Sequence, residues 1–464
     1  MVNRNWSLVE PKNPENKSNL KDESRVEDSI TSSKGNNGSS TNQTSERPNF
    51  KLELMEEVLD QSNLNAAFKR VRKNKGSAGV DGMSVDELSD YLKKNGHTIR
   101  IQLLSGNYKP MPVKRVEIPK TDGGVRQLGI PTVLDRFIQQ ALAQVLQNGY
   151  DKTFSDSSFG FRPNRSAHQA ILKAQAYQNE GYKFVVDIDL EKFFDKVNHD
   201  KLMGKLMKDI QDKRVLKLIR AFLNAGIMDN GVVTIPEEGT PQGGPLSPLL
   251  SNIVLDDFDC ELEKRGHKFV RYADDCNIYV KTSRAGDRVM KSVKDFIEKK
   301  LKLKVNEKKS KVDKPARRKF LGFSFLARGG MTKRRIAPES VKRFRDKIRE
   351  ITRPRRRIKF VDLINELKLF LIGWKNYFNL AEFKSIFQDL DKWIRHRLRS
   401  YIWQQWPKVR TRYRMLIRFG IGHDLALQTA ASGKGAWRLS SGPALKYAFQ
   451  IKYFDRFGLP RLHS

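Results

Sequence analysis

The chain has 464 residues, of which 38% are hydrophobic, and its 88 Lys and Arg outnumber 53 Asp and Glu to leave a net charge of +35. Such an excess of one sign disfavours a compact fold by self-repulsion, and a nucleic-acid partner explains it best. Two cysteines exclude a disulfide framework and paired zinc knuckles, and they suit a reducing compartment. The sequence lacks both the ~18-residue apolar run of a membrane span and a secretory signal, so we expect a cytoplasmic protein without membrane contact.

The first part of the chain is predicted to be a disordered leader followed by helices and a basic hairpin. Residues 1–48 are too polar to bury a core. Further on, Val113–Pro119 and Val125–Ile130 have the composition of two strands joined by a tight turn. Lys120 and Arg126 lie on this hairpin, where the two cations could hold a triphosphate, although the hairpin taken alone is better explained as an exposed basic hairpin without a ligand.

Two glycine- and proline-rich loops follow. Ser157–Arg165 mixes aromatic residues with arginines, as surfaces that bind single-stranded nucleic acid do. Gly239–Leu249 precedes a helix predicted at about Ser247–Lys264, and its exposed amides suit close approach to a phosphate or a base. Gln242 could add a side-chain contact there. A tight loop without a ligand is the alternative.

Paired acids mark the centre of the sequence. Phe269–Val280 reads F-V-R-Y-A-D-D-C-N-I-Y-V, which predicts two strands with Asp274 and Asp275 in the turn between them. Two carboxylates at a hairpin tip suit a divalent metal such as Mg²⁺, which takes oxygen ligands. Alone, an Asp-Asp pair is more often a solvated turn.

A third acid is expected in Lys183–Asp195, K-F-V-V-D-I-D-L-E-K-F-F-D. The period of two predicts a strand with Phe184, Val186 and Ile188 facing the core. Asp187 and Asp189 then share the opposite face, and an acid at the end of a buried strand needs a partner or a metal. The spacing does not decide which of the two is the ligand.

The last third of the sequence predicts an apolar strand at Phe320–Phe325 and then basic helices from Ser340 onward. Val361–Phe378 has helical spacing. A second helix is predicted around Trp393–Trp406. Its core stripe is Leu390, Ile394, Leu398 and Tyr401, and the arginines expected to lie away from that stripe are Arg395, Arg397 and Arg399.

Taken together, these segments resemble the reverse transcriptases encoded by group II introns, the bacterial intron-encoded maturases, from about Leu52 to the end. The matching segments are V-E-I-P-K-T-D-G-G-V-R (116–126), S-F-G-F-R-P-N-R (158–165), D-I-D-L-E-K-F-F-D (187–195), T-P-Q-G-G-P-L-S-P-L-L (240–250), R-Y-A-D-D (271–275) and K-F-L-G-F (319–323). The chain is similar to the compact members without an endonuclease domain. The resemblance implies a bacterial protein of the α+β class, with a right-hand polymerase fold (fingers and palm with an antiparallel sheet) followed by an α-helical thumb/maturase domain. The implied domains are a leader (1–48), fingers and palm (49–335), thumb/maturase (336–410) and a basic DNA/RNA-binding segment (411–464).

The resemblance also implies the catalytic acids. In this family an aromatic residue follows the catalytic Asp by five positions, which fits Asp189 with Phe194 but not Asp187. Asp189, Asp274 and Asp275 are therefore expected to bind two Mg²⁺ ions, with Asp275 the weaker ligand.

Further roles follow from the same match. The implied nucleotide contacts are Lys120, Arg126, Phe194 and Gln242, the implied primer grip is Leu321 and Gly322, and the implied RNA-binding arginines are Arg353, Arg355, Arg356 and Arg357. Phe194 would lie under the sugar and exclude a 2′-hydroxyl. The expected partners are group II intron RNA, an RNA template, a DNA primer and deoxynucleoside triphosphates. The expected function is RNA-directed DNA synthesis combined with assistance to intron splicing.

Other functions remain open at this stage. A reverse transcriptase of a diversity-generating or phage-defence element would share the palm motifs. A splicing cofactor with an idle polymerase site would share the basic helices, although the presence of all three acids argues against it. A cyclic-dinucleotide cyclase is disfavoured because its G-G-[DE]-E-F hairpin is absent.

Overall fold

A computed structural model of the chain describes residues 47–119, 124–229, 232–234, 238–239, 243–353, 356 and 358–463. Nearly all of the predicted leader, and also Lys120, Gln242, Arg355 and Arg357, lie outside these residues. The helices are α1 (Leu54–Val58), α2 (Gln61–Asn74), α3 (Leu88–Leu104), α4 (Val133–Tyr150), α5 (Ala167–Asn179), α6 (His199–Asp209), α7 (Lys213–Leu223), α8 (Ser247–Lys264), α9 (Ser283–Phe296), α10 (Pro338–Ile351), α11 (Phe360–Phe378), α12 (Ser385–Gln404), α13 (Val409–Arg418), α14 (His423–Ala431), α15 (Ala436–Leu439), α16 (Pro443–Ala448) and α17 (Ile451–Arg456). The strands are β1 (Val113–Pro119), β2 (Val125–Ile130), β3 (Phe184–Ile188), β4 (Ile227–Asp229), β5 (Val232–Thr234), β6 (Lys268–Tyr272), β7 (Asp275–Val280), β8 (Lys311–Asp313), β9 (Phe323–Arg328) and β10 (Met331–Ile336).

The chain divides into two compact units, and the first comprises the described parts of 1–164, 190–265 and 294–306. Its sheet has the order β2-β1-β4-β5, in which β1 and β2 form the predicted antiparallel hairpin. Helix α4 packs on α2 and contributes buried residues from almost every turn. The Thr132 side chain caps the first turn of α4 by accepting a hydrogen bond from the backbone amide of Asp135.

The second unit comprises 165–189, 266–293 and 307–464, and its antiparallel sheet has the order β6-β7-β3-β8. Strand β3 is therefore an inner strand. Four of its five residues are buried, so it is covered on both faces rather than on one. Helix α5 begins with a capping box formed by Ser166 and Gln169, and it packs on β6.

The basic helices of the second unit share a hydrophobic core. An aromatic cluster joins α10, α11 and α12: the Phe344 ring lies 4.4 Å from Trp374, which in turn lies 5.8 Å from Phe387 between ring centroids. The predicted stripe on α12 is buried as expected, and the residues concerned are Leu390, Ile394, Leu398 and Tyr401. Helices and strands are interspersed up to β10, and only helices follow from α10 onward, which agrees with the predicted α+β class.

The side of α12 away from this stripe, where Arg395, Arg397 and Arg399 were expected, is covered by protein as well. Arg395 is only 6% exposed, and Arg397 and Arg399 are half-buried rather than solvated. Arg399 donates hydrogen bonds to the backbone carbonyls of Phe449 and Ser440, which lie in the C-terminal segment. That segment folds back on α12 and covers the face that a single helix would leave to solvent.

Candidate active site

The hairpin that carries the paired acids is formed by β6 and β7. Tyr272 pairs with Asp275 across it, so Asp275 is the first residue of β7, and the turn consists of Ala273 and Asp274. Ala273 has a φ of 58°, which a residue with a side chain rarely adopts. The buried Arg271 donates a hydrogen bond from Nη1 to the Ala273 carbonyl at 2.9 Å and so helps to hold this turn.

Asp189 follows the end of β3, next to that hairpin. Strands β3 and β7 are antiparallel, with Ile188 opposite Cys276. Extending this register by one residue brings Asp189 level with Asp275. The backbone of Asp189 is fixed on both sides by Ser310, whose hydroxyl oxygen accepts from the Asp189 amide at 3.0 Å and donates to the Asp189 carbonyl at 3.3 Å. The fold thus brings the three predicted acids to one end of the sheet.

Asp187, the alternative candidate, is already partnered. It is buried, and its Oδ2 oxygen accepts a hydrogen bond from Nε of Arg318 at 2.8 Å, with a second bond from Nη2 of the same guanidinium. Arg318 also donates to the carbonyl of Lys309 at 2.6 Å. Burial raises the pKa of Asp187, and the charge and hydrogen bonds of Arg318 oppose that rise. Asp187, which the spacing alone could not exclude as the metal ligand, is therefore already engaged in an ion pair with Arg318.

The acids at this end of the sheet influence one another electrostatically. Burial, followed by the charges of Asp187, Asp274 and Asp189, raises the pKa of Asp275 well above its usual range. Among the described residues, no group of three or more His, Cys, Asp and Glu side chains is close-set enough to hold a metal ion as it stands. Carboxylate oxygens are nevertheless the donors that Mg²⁺ takes, and a cation among these acids would relieve their repulsion. The donor set fits a divalent hard cation.

The predicted primer grip lies in the turn before β9. Leu321 and Gly322 both have positive φ, of 49° and 83°. These two residues, together with Asp275 and Tyr377, line a cavity of about 590 Å³. The structure therefore places this turn and Asp275 on the lining of the same cavity.

Phe194 lies in a short 3₁₀ turn, Phe193–Asp195, of the first unit. Its ring meets the buried Phe193 ring edge to face at 5.3 Å and stays partly exposed. A Cβ on Gly239 would come within 3.0 Å of the Phe194 carbonyl oxygen, so the glycine permits the predicted pocket loop to approach this turn. The backbone of Arg126 lies in β2 opposite Ile118, and its side chain is outside the described atoms.

The loop between α10 and α11 holds the arginines predicted to bind RNA. Arg353 is exposed. Arg356 is partly committed within the protein, because its Nη1 lies 2.8 Å from Oε2 of Glu366 and 3.0 Å from the carbonyl oxygen of Ile351.

None of the helices within the described ranges combines the length and apolar content that crossing a bilayer requires.

Sequence reasoning missed several supporting residues of the site. Ser310 and Arg318 belong to a lysine- and arginine-rich stretch, and nothing in their local pattern distinguishes them from solvated residues. Arg271 lies inside the R-Y-A-D-D segment, where a charge in an otherwise apolar strand was a usable signal. Their contacts become visible only when the strands are paired.

Two family models match this chain. Residues 118–325 match the family model for reverse transcriptase (RNA-dependent DNA polymerase), and residues 341–420 match the group II intron maturase-specific domain. Protein YkfC of Escherichia coli (strain K12) is 32% identical over 57% of this chain and 80% of its own length. The group II intron-encoded protein LtrA of Lactococcus lactis subsp. cremoris is 31% identical over 61% of this chain and 60% of LtrA.

Two further similarities are more limited. Nuclear intron maturase 2, mitochondrial, of Arabidopsis thaliana is 29% identical over 30% of this chain and 24% of that protein. Among solved structures, a chain of a partial Cas6-RT-Cas1–Cas2 complex is 28% identical over 53% of this chain and 42% of that chain, with a TM-score of 0.35.

Proposed function

This chain belongs to the reverse transcriptases and maturases encoded by group II introns, and we propose that it copies RNA into DNA with Asp189, Asp274 and Asp275 as its catalytic acids. Reverse transcriptases are divalent-metal-dependent nucleotidyltransferases. The observation that carries the assignment is the pairing of β3 with β7, which brings Asp189 to the end of the sheet that holds Asp274 and Asp275. Asp187, the competing acid, is held by Arg318.

The three acids would bind two Mg²⁺ ions, which would activate the 3′-hydroxyl of the primer and neutralise the departing pyrophosphate. The contribution of the protein is to hold the carboxylates in place before substrate arrives. Ser310 fixes the backbone of Asp189, and Arg271 holds the turn that carries Asp274. Arg271 lies in β6 and Ser310 directly precedes β8. With their backbone held in this way, the acids would need little reorganisation when the nucleotide binds.

The fingers would supply the nucleotide contacts. Lys120 and Arg126 would hold the triphosphate, as a point charge and a bidentate donor respectively. Phe194 would lie under the sugar and exclude a 2′-hydroxyl, and Gln242 would contact the incoming nucleotide from the glycine-rich loop. The partly exposed ring of Phe194 and its approach to Gly239 support this role.

The helical domain would bind intron RNA and assist its splicing. The match to the maturase-specific domain implies RNA binding by this region. Exposed arginines between α10 and α11, Arg353 among them, would neutralise phosphates there. The RNA template and DNA primer would be further nucleic-acid partners.

An experiment on Asp274 tests the proposal. Asp274→Asn should abolish DNA synthesis from a primed RNA template with Mg²⁺ while leaving RNA affinity nearly unchanged, and the intron should still splice at near-physiological Mg²⁺. Asp287→Asn, at an exposed position on α9, is the matched control and should extend primers at the wild-type rate. Synthesis by Asp274→Asn above a few per cent of wild type would overturn the assignment. Loss of splicing together with synthesis would contradict two separate functions.

A further inference from the structure

The turn of the primer grip is held in an unfavourable backbone conformation. Phe320 and Phe323 exchange both backbone hydrogen bonds, each at 2.9 Å, and so close a two-residue turn. Both central residues of the turn, Leu321 and Gly322, have positive φ. Glycine and asparagine are the residues that such a turn favours, whereas leucine is strained in it. A strained turn persists only where its surroundings hold it.

The surroundings that hold this turn are the first helices of the thumb. Within the turn itself, the carbonyls of Leu321 and Gly322 accept none of the hydrogen bonds that close it. The Tyr377 hydroxyl donates to the Leu321 carbonyl at 2.8 Å. The Gly322 carbonyl accepts two bonds, both at 3.0 Å, from the Ser340 hydroxyl and from the Ala337 amide. Hydrogen bonds from α11 and from the start of α10 therefore hold both carbonyls of the turn.

Tyr377 is itself held rigidly on α11. Its carbonyl lies 2.7 Å from Nε2 of His168 on α5, and its ring packs against the rings of Phe323 and Phe378 at 6.0 and 4.9 Å between centroids. Burial, followed by the charges of Tyr272 and Asp275, raises the pKa of Tyr377. Its hydroxyl therefore stays protonated at neutral pH and remains a donor.

We propose that Tyr377 is a positioning residue of the polymerase. Its hydroxyl holds the Leu321–Gly322 turn in the position that aligns the end of the primer with the catalytic acids. Tyr377 and Asp275 both line the cavity of about 590 Å³, and the end of the primer would be aligned within it. A small shift of α11 would be transmitted to the turn through this hydrogen bond. The role rests on the proposed function, since it needs a primer in this cavity.

The test compares Tyr377→Phe with Tyr401→Phe. Tyr401 is a matched control because its hydroxyl also donates to a backbone carbonyl of the second unit, that of Ile358 at 3.1 Å, and it does not line the cavity. We expect Tyr377→Phe to lower kcat for primer extension by about 2- to 10-fold, the factor that one net hydrogen bond corresponds to. The KM for primer-template and the melting temperature should change no more than in Tyr401→Phe. Ser340→Ala should lower kcat in the same way.

Amide hydrogen exchange supplies a readout that does not depend on activity. Exchange at Phe320 and Phe323 should rise in Tyr377→Phe and not in Tyr401→Phe. Unchanged exchange overturns the proposal, and so does faster exchange with an unchanged kcat in an active enzyme. A wild-type protein that extends no primer overturns the proposed function, and this role with it. An active wild type with equal kcat in both variants overturns this role alone.

Discussion

Nε of Arg318 lies 2.8 Å from Oδ2 of Asp187, two residues before the catalytic candidate Asp189. The two side chains of the ion pair are 24% and 11% exposed. Removing the arginine alone would leave a largely buried carboxylate without its counter-charge. We expect Arg318→Gln to lower the free energy of unfolding by about 2–3 kcal/mol, as measured by urea denaturation.

The double variant Asp187→Asn/Arg318→Gln should recover part of that loss, since it leaves no uncompensated charge. Arg317→Gln is the control, because Arg317 is 75% exposed and its pair with Asp313 is at 3.8 Å. It should change the free energy of unfolding by less than about 1 kcal/mol. Equal losses in Arg318→Gln and Arg317→Gln would contradict a stabilising role for the Asp187–Arg318 pair.

Phe194 is predicted to select deoxyribonucleotides. Phe194→Val should raise ribonucleotide incorporation relative to deoxyribonucleotide incorporation by about 10-fold or more, because a smaller side chain makes room for the 2′-hydroxyl. The ratio of kcat/KM for the two nucleotides measures this. Phe194→Tyr keeps the ring and should leave the ratio close to wild type. An unchanged ratio in Phe194→Val would place the selecting residue elsewhere.

Gly322 is predicted to be intolerant of any side chain. Its φ is 83°, and a Cβ there would lie 3.2 Å from the Phe378 ring and 3.3 Å from the Ser340 hydroxyl. Gly322→Ala should therefore cost about 1–3 kcal/mol in the free energy of unfolding and slow primer extension.

Gly330 offers a control for the backbone contribution alone. Its φ is 77°, yet a Cβ there would meet nothing within 4 Å. Gly330→Ala should lower the free energy of unfolding by less than Gly322→Ala does and should leave extension unchanged. Equal losses would show that the contacts around Gly322 are unimportant.

Acid stability should depend on Asp212. This buried carboxylate accepts hydrogen bonds from the amide of Met55 at 2.9 Å and from the backbone and side chain of Arg214. Burial raises its pKa, but the hydrogen bonds of Arg214 and Met55 outweigh burial and hold the pKa below its ordinary value. A lowered pKa in the folded state means that this stabilisation is complete above about pH 4 and is lost as the pH falls through the folded-state value.

Wild type should therefore lose free energy of unfolding more steeply than Asp212→Asn below about pH 4. Urea denaturation between pH 7 and pH 3 measures both slopes. Asp200→Asn, which changes an 84% exposed side chain that pairs with Arg220, should follow the wild-type slope. Parallel curves for wild type and Asp212→Asn would contradict the assignment.

The arginines between α10 and α11 should set the salt dependence of intron binding. Replacing Arg353, Arg355, Arg356 and Arg357 by Ala should make the slope of log affinity against log salt shallower, by about 0.7–0.9 for each phosphate that is no longer neutralised. Arg356 should contribute least, because Glu366 already pairs with it. Splicing should slow, and extension of a short primer-template should suffer less.

Arg317→Ala is the control for net charge, because Arg317 is exposed and lies outside this loop. Its slope should stay close to wild type. A loss of splicing and of extension to the same degree in the four-arginine variant would oppose a separate RNA-binding role for this loop.

The sequence by itself determined the elements whose contacts are local. The hairpin of β6 and β7, the paired strands β1 and β2 and helix α8 all lie where the local sequence pattern predicted them. The one local error at the acidic turn was that Asp275 begins β7 instead of lying in the turn. These features depend on residues that are close in the chain, so a short window contains the information.

Only the tertiary structure decided the environment of each acid. Alternation predicted that Asp187 and Asp189 face away from the core together, but β3 lies between β7 and β8 and is buried on both faces. Asp187 is buried there against Arg318, 131 residues further along the chain. The bond from Tyr377 to Leu321 spans 56 residues, and Arg399 donates to the carbonyl of Phe449, 50 residues further along. A pattern of period two or 3.6 carries no information about partners so far away, because those contacts exist only after strands pair and helices pack.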